Sequence, residues 1–291
     1  MGRKVNFKGE PLTLVGRNLK LNNPAPNFKV VSTDLKEITL FDFSAKGGSA
    51  FGGKDKIKLI NSFPSADTPV CDMQVKEFNK RAMSLSTDIT VIGISKDLPF
   101  AQKRFCEVNS IKNVTTLSDY RYSSFGINYG LLIKELNLLA RSVLILDKTN
   151  VVRYIQIVDE LTHSPNYEDV INALNEVLKN PQTKITEEVK EHCKPCETGV
   201  GTITNEKAEE IIAGFYGWQL IEGRKIIKEL KFKDFAEAKY FLDLVSIIAE
   251  EQGHHPIFTL NYNKLKITLT THALSGLSEN DFIMARIIDE L

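Results

Sequence analysis

The sequence predicts an α/β domain followed by a smaller α+β domain. Its 291 residues exceed what one hydrophobic core usually serves, so two domains are the expected arrangement. From Ile57 onward, apolar runs of strand length alternate with segments of helical periodicity, as in a sheet layered with helices. Asn180-Pro181 ends this alternation, and the run at 182–190 holds few apolar residues, which is typical of a linker. We therefore place the first domain at 1–180, a linker at 181–200 and the second domain at 201–291.

Each element of the first domain is predicted from a change in periodicity or a turn signal. Short strands are expected within 11–31, around Gly16 and the Asn22-Asn23-Pro24 turn. The later elements are, in chain order, a strand at 57–61, a helix at 71–85, a strand at 89–94, a helix at 98–108, a strand at 114–117, a hairpin of 143–146 with 151–158, and a helix at 167–178.

The second domain is predicted to be an antiparallel sheet with helices on one face. Its elements are, in chain order, a helix at 205–213, strands at 218–222 and 225–232, a helix at 234–252, strands at 257–262 and 264–270, and a helix at 278–289. Apolar side chains recur from Phe235 to Ala249 with helical spacing, and such a stripe normally faces a core.

Composition argues against several classes of partner. The 37 basic side chains balance 37 acidic ones, so no overall charge draws the chain to nucleic acid or to a lipid surface. The first ten residues lack an apolar signal segment and no apolar run reaches about 18 residues, so a cytoplasmic protein is expected. Four cysteines in a chain of this length are too few for a disulfide scaffold and point to redox or metal chemistry.

Cys71 lies where a buried strand gives way to a helix. The apolar run ends at Phe63, Pro64 and Pro69 interrupt strand pairing, and apolar residues then recur at helical spacing. Cys71 is therefore predicted at a helix N-terminus, where unpaired N–H groups and the helix dipole stabilise a thiolate. The competing interpretation is an unreactive core cysteine.

The residues around Cys71 resemble those of a known family. Pro64, Thr68 and Cys71 form the Pro-x-x-x-Thr-x-x-Cys pattern of peroxiredoxins. Further matches carry the resemblance to one subfamily, the thiol peroxidases or atypical two-cysteine peroxiredoxins, over roughly residues 3–180; they include Phe7-Lys8-Gly9, the run from Asp97 to Cys106, Leu117-Ser118-Asp119 and Leu138 to Ser142. This resemblance implies a thioredoxin-like fold and reduction of hydrogen peroxide or alkyl hydroperoxides.

The resemblance also implies a role for each matched residue. Cys71 would attack the peroxide, Thr68 would place a hydroxyl beside its sulfur, and Pro64 would exclude water. Arg141 would stabilise the thiolate and orient the peroxide. Cys106 would then resolve the Cys71 sulfenic acid as an intrachain disulfide, which thioredoxin or a similar dithiol would reduce. An inert core residue is the alternative for Cys106.

Three of the five histidines fall within 19 residues near the end of the chain. The pattern Glu250-x-x-x-His254-His255-Pro256, followed by Tyr262, His272 and Asp281, resembles the signature of pterin-4a-carbinolamine dehydratases, and the resemblance covers roughly residues 190–291. A hairpin turning near Asn263 would pair positions whose numbers sum to about 526, which would set His254 opposite His272.

The second resemblance implies dehydration of a 4a-hydroxytetrahydropterin without a cofactor. His254, His255 and His272 would be catalytic, since imidazole can both donate and accept a proton near neutral pH. Substrate-binding roles are expected for Glu250, Trp218 and Asp281. A zinc site built from the three histidines is the competing interpretation, but the resembled family works without metal.

Cys193 and Cys196 form a Cys-x-x-Cys pair in the predicted linker. A structural role, thiol exchange with a Cys71–Cys106 disulfide, and one half of a zinc site all remain open.

The sequence as a whole predicts a bifunctional enzyme and a homodimer or higher homo-oligomer. Its expected partners are a thioredoxin-type reductant, a hydroperoxide and a pterin, with neither nucleic acid nor membrane. The alternative is a peroxidase or peroxide sensor whose C-terminal domain serves only for oligomerisation. A histidine-dependent dehydration rate would separate these two hypotheses.

Overall fold

The computed structural model describes residues 3–43, 56–82, 85–180, 193–194 and 201–291. The chain divides into two compact units, Met1–Val189 and Lys190–Leu291. The division falls inside the segment 181–200 that the sequence marks as a linker. No helix among the described residues has the length and apolar character needed to cross a membrane.

The first unit is built on a seven-stranded mixed sheet. The strands of this unit, which form that sheet and a smaller one, are β1 (Lys4–Phe7), β2 (Glu10–Val15), β3 (Lys29–Ser32), β4 (Glu37–Thr39), β5 (Ile57–Ser62), β6 (Ile89–Ser95), β7 (Thr115–Ser118), β8 (Leu132–Ile133), β9 (Leu138–Leu139), β10 (Ser142–Leu146) and β11 (Val152–Ile157). The large sheet has the order β11-β10-β5-β6-β7-β3-β4, and a smaller sheet has the order β1-β2-β8-β9. In the large sheet β5 pairs parallel with β6, and β6 with β7; the four pairings outside these are antiparallel.

Helices and the small sheet cover the large sheet so that its centre is buried. The helices of this unit are α1 (Pro69–Ala82), α2 (Pro99–Val108), α3 (Ser124–Asn128) and α4 (Tyr167–Lys179). Every residue of β5 is buried, as expected for a central strand covered on both faces. Val75 and Phe78 of α1 and Leu174 of α4 share one core cluster with alternate residues of β5 and β10. A second cluster holds Ile60, Leu144 and Leu146 of these strands together with side chains of α3 and the small sheet.

The second unit is a four-stranded antiparallel sheet packed against helices. Its strands β12 (Trp218–Ile221), β13 (Lys225–Lys231), β14 (Ile257–Asn261) and β15 (Lys264–Leu269) have the order β12-β13-β15-β14, and its helices are α5 (Asn205–Ile212), α6 (Phe235–Gln252) and α7 (Glu279–Asp289). Leu265, Ile267 and Leu269 alternate as buried residues along β15, while their neighbours are more exposed. This alternation marks one face of the sheet as the core face.

The predicted fold class is confirmed, and the longer elements match their predicted ranges closely. Helix α1 begins at Pro69, so Cys71 is its third residue. The short elements β1, β4, β8, β9 and α3 were not predicted. None is longer than five residues, so none contains enough turns or alternations to give a periodic signal.

Candidate active sites

The Cys71 sulfur is fully buried and accepts two hydrogen bonds from side chains. Thr68 immediately precedes α1, and its Oγ1 lies 2.8 Å from Cys71 Sγ. Nη2 of Arg141 donates to the same sulfur over 3.3 Å. Cys71 itself has no exposed surface, whereas Thr68 is exposed and marks the side of the site that faces solvent. Thr68, three residues before Cys71, and Arg141, 70 residues after it, therefore both contact this one sulfur atom.

Arg141 is almost fully buried, with only 1% of its surface exposed, and its guanidinium is held by hydrogen bonds within the protein. Its Nε and Nη2 donate to the carbonyl oxygen of Leu161 over 3.2 and 2.8 Å, and its Nη1 donates to Oε1 of Gln74. A buried guanidinium with these fixed partners points one N–H edge at Cys71. Sequence reasoning did not identify Gln74. The signal was its position three residues after Cys71, on the same face of α1.

The loop before α1 is fixed by Asp97. Its carboxylate accepts hydrogen bonds from Ser65 Oγ over 2.6 Å, from the Ala66 N–H over 2.7 Å and from Ser95 Oγ over 2.8 Å. The Ser65 carbonyl oxygen in turn lies 3.1 Å from Thr68 Oγ1. Asp97 stands two residues before α2, so one carboxylate connects the Thr68 loop with the start of the helix that carries Cys106. No functional role for Asp97 was predicted from the sequence.

Cys106 is half-buried near the end of α2. Its Sγ lies 3.3 Å from Thr116 Oγ1 on β7, and it packs against the same core cluster that contains Cys71. Burial raises the pKa of the Cys106 thiol, partly offset by the Thr116 hydroxyl. Cys106 also lines an open cavity of about 460 Å³ together with residues of β7. Both Cys71 and Cys106 carry free thiols. Pro64 is buried beside the loop.

In the second unit, His254 and Asp281 form a buried pair. His254 Nε2 lies 2.8 Å from Asp281 Oδ1. The other oxygen of Asp281 accepts hydrogen bonds from Thr271 Oγ1 and from the Ser278 N–H, each over 2.8 Å. The Ser278 contact is half of a capping box at the start of α7. Since Thr271 directly precedes His272, the Asp281 carboxylate connects the segments of two predicted histidines.

His255 and His272 are exposed. His255 Nε2 lies 2.8 Å from Glu250 Oε1, and His272 begins a short 3-10 turn. The predicted pairing of His254 with His272 across neighbouring strands is wrong. Strands β14 and β15 pair Ile257 with Thr268, so paired positions sum to 525, and pairing stops before either histidine is reached. Gly253 has a φ of +61° and ends α6, which places His254 in a loop rather than a strand.

The remaining candidates lie as follows. Trp218 is buried, and its indole N–H donates to Asp289 Oδ1 over 2.8 Å. Asp281 is fully buried. Cys193 is half-buried against the second unit, and Cys196 lies outside the described residues. Within the described ranges, no group of three or more His, Cys, Asp or Glu side chains is placed to hold a metal ion.

Comparison with known proteins assigns a family to each unit. Residues 20–171 match the family model described as Redoxin, and residues 202–291 match that of pterin 4 alpha carbinolamine dehydratase. The thiol peroxidase of Bacillus subtilis is 46% identical over 176 residues, which cover 60% of this chain and 99% of that relative.

Two solved structures are also similar. A peroxiredoxin-like protein from Aquifex aeolicus is 44% identical with a TM-score of 0.53, covering 61% of this chain and 98% of that one. A transcriptional coactivator/pterin dehydratase from Brucella melitensis is 36% identical with a TM-score of 0.30, covering 31% of this chain and 96% of that one.

With this fold and this cysteine site, the chain belongs to the redoxin family. Within that family it is a thiol peroxidase, joined in one polypeptide to a pterin-4a-carbinolamine dehydratase domain.

Proposed function

We propose that the first unit reduces hydroperoxides through a Cys71 sulfenic acid. The supporting observation is the pair of donors, Thr68 Oγ1 and Arg141 Nη2, that converge on one buried sulfur. The thiolate attacks one peroxide oxygen, the O–O bond breaks, and the second oxygen leaves as water or an alcohol after taking up a proton. The guanidinium stabilises the negative charge that moves from sulfur to the leaving oxygen, and the hydroxyl orients the peroxide.

Resolution requires a second thiol, and Cys106 is the one we assign. Attack of Cys106 on the sulfenic sulfur forms the Cys71–Cys106 disulfide and releases water. Cys71 is fully buried, and the Cys106 thiol is hydrogen-bonded to the Thr116 hydroxyl. We therefore expect α1 and α2 to unfold locally before the two sulfurs meet. A thioredoxin-type dithiol then restores both thiols by exchange, which completes the cycle.

We propose that the second unit dehydrates a pterin carbinolamine with its histidines. The carboxylate of Asp281 already accepts from Thr271 and Ser278, so His254 donates Nε2–H to it and keeps Nδ1 as the proton acceptor. His254 would remove the ring N–H proton, and the exposed imidazoles of His255 and His272 would protonate the departing hydroxyl as water. The buried contacts of Asp281 favour a positioning role over the substrate contact predicted from the sequence.

Substitution of the histidines tests this assignment. In the full-length chain, we expect His254→Ala and His272→Ala each to lower the dehydration rate by about a hundredfold, which is typical for loss of general acid–base catalysis. His163→Ala, in the first unit, serves as the matched control and should leave the rate unchanged. Peroxide consumption by the same variants reports whether the first unit remains folded. A parent dehydration rate no faster than the uncatalysed reaction, and unchanged by either substitution, would instead favour an oligomerisation module.

A further inference from the structure

We propose that the backbone of Cys193 and Lys194, called here the brace, positions the His254–Asp281 pair. The proposal rests on the dehydratase function given above. The brace precedes the family match, which begins at residue 202. It therefore assigns a role in this site to a segment outside the recognised dehydratase domain.

The brace contacts the second unit through backbone atoms. The Lys194 N–H donates to Asn280 Oδ1 over 2.9 Å, and Asn280 Nδ2 donates to the Lys194 carbonyl oxygen over 2.8 Å. The Cys193 N–H donates to Gln252 Oε1 over 2.9 Å. Asn280 is only 1% exposed, so its amide makes these contacts in a buried setting where hydrogen bonds are strongly directional.

The two anchoring side chains bracket the acid–base pair. Gln252 is the last residue of α6 and lies two residues before His254, and Asn280 directly precedes Asp281 in the first turn of α7. Each anchor thus sits on one of the two segments that carry the pair. By holding both anchors at once, the brace fixes the distance between the end of α6 and the start of α7, and with it the 2.8 Å contact between His254 and Asp281.

The chemistry of the brace makes the Cys193 thiol secondary. Among the described residues, its contacts with Gln252 and Asn280 include three that use backbone N–H or carbonyl groups, and the contact from Cys193 Sγ to the Asn280 carbonyl oxygen is long at 3.7 Å. A brace of this kind needs two backbone N–H groups at these positions and tolerates other side chains. This requirement separates it from a redox or metal role, in which the sulfur itself is needed.

A pair of substitutions at one exposed residue tests the brace in the full-length chain. Lys194→Pro removes the N–H that Asn280 accepts, whereas Lys194→Ala keeps it. We expect Lys194→Pro to lower kcat for dehydration by about tenfold with little change in KM, because the acid–base pair loses its alignment. Lys194→Ala and Cys193→Ser should retain the parent rate, and all three variants should consume peroxide normally.

A second variant approaches the brace from its other side. Asn280→Ala should reproduce the effect of Lys194→Pro, while Asn263→Ala, which removes a different side-chain bond to the Phe232 carbonyl oxygen, should leave kcat within twofold. Imidazole ¹⁵N spectra should show His254 losing its single tautomer in Lys194→Pro and in Asn280→Ala only. If both Lys194→Pro and Asn280→Ala dehydrated the pterin as fast as the parent protein, the proposed role of the brace would be overturned. If instead His254→Ala failed to lower the rate, the proposed dehydratase mechanism would fail first.

Discussion

The contacts of the buried Arg141 guanidinium direct part of its charge at the Cys71 sulfur, and Gln74 is one of those contacts. The guanidinium satisfies its N–H groups with the Leu161 carbonyl oxygen and the Gln74 amide oxygen, and one N–H remains directed at sulfur. Gln74 is neutral, so it fixes the guanidinium without competing with a thiolate for its charge. A carboxylate at the same place would pair with Arg141 and weaken its effect on sulfur, since opposite charges at contact distance interact by about 4 kcal/mol near a protein surface.

The substitution Gln74→Glu tests this role. We expect the second-order rate constant for peroxide at pH 7 to fall at least tenfold, measured by stopped-flow, because the new carboxylate neutralises the guanidinium beside Cys71. The matched control is Gln156→Glu on β11, where the parent side chain bonds Tyr154 and the Asn166 N–H. An unchanged rate in Gln74→Glu would show that the Arg141 charge does not act on the sulfur.

At the residue scale, the sequence predicted the reactive residues more completely than it predicted the side chains that support them. The peroxiredoxin pattern around Cys71 predicted Thr68 and Arg141 as neighbours, and the structure places both within hydrogen-bonding distance of the sulfur. Gln74 and Asp97 escaped notice because a polar residue gives no sign of its partners until the chain folds. Asp281 was expected to contact substrate, yet burial and three protein partners point to a supporting role.

At the scale of elements, Asp97 connects the two helices that must cooperate in a peroxidase cycle. Its carboxylate holds the Ser65–Ala66 turn, and its own carbonyl oxygen accepts from Ser118 Oγ on β7. Gln102, one turn into α2, donates to Ser95 Oγ and to the Leu117 carbonyl oxygen, both over 2.9 Å. Polar contacts therefore join the Thr68 loop, the start of α2 and the C-terminal end of β7.

The substitution Asp97→Ala should slow attack on peroxide by about tenfold, because the Thr68 loop loses two hydrogen bonds and the hydroxyl is no longer fixed beside Cys71. Dehydration by the same chain should be unchanged. Asp42→Ala is the matched control, since Asp42 makes comparable bonds to the Thr39 N–H and hydroxyl. An equal loss of peroxide rate in both variants would contradict a specific role for Asp97.

Elements with several turns or alternations were predictable, and short ones were not. The helix at 167–178 was expected from Val170, Leu174, Val177 and Leu178 on one face. The structure buries the first three in α4 and leaves Leu178 partly exposed. Strands β8 and β9 have two residues each. The pairing of β8 with β2 and of β9 with β8 depends on contacts made only in the folded chain. The hairpin of β14 and β15 was correctly predicted, but its register differs by one from the predicted sum. The observed register pairs Phe258 with Ile267 and Leu260 with Leu265, which keeps apolar side chains of both strands on one face, whereas a sum of 526 would not.

At the scale of the whole molecule, the chain combines two units with separate cores and separate chemistry. Each unit supplies a control for the other, because a substitution that acts locally should change one activity and spare the second. The charge balance of the chain and the absence of a long apolar segment were readable from composition. The contacts of Cys193 and Lys194 with Gln252 and Asn280 were not predictable, since on the side of Cys193 and Lys194 they use backbone atoms that carry no sequence signal.

Mass spectrometry of the reduced protein after one equivalent of hydrogen peroxide tests the central claim most directly. Peptide mapping without reduction should recover a single new disulfide, between Cys71 and Cys106. Cys193 should not appear in any disulfide-linked peptide. In Cys106→Ser, the same treatment should leave Cys71 as a sulfenic acid that dimedone traps. Recovery of Cys71 as an unmodified thiol in the parent protein, or of a disulfide that excludes Cys106, would contradict the account.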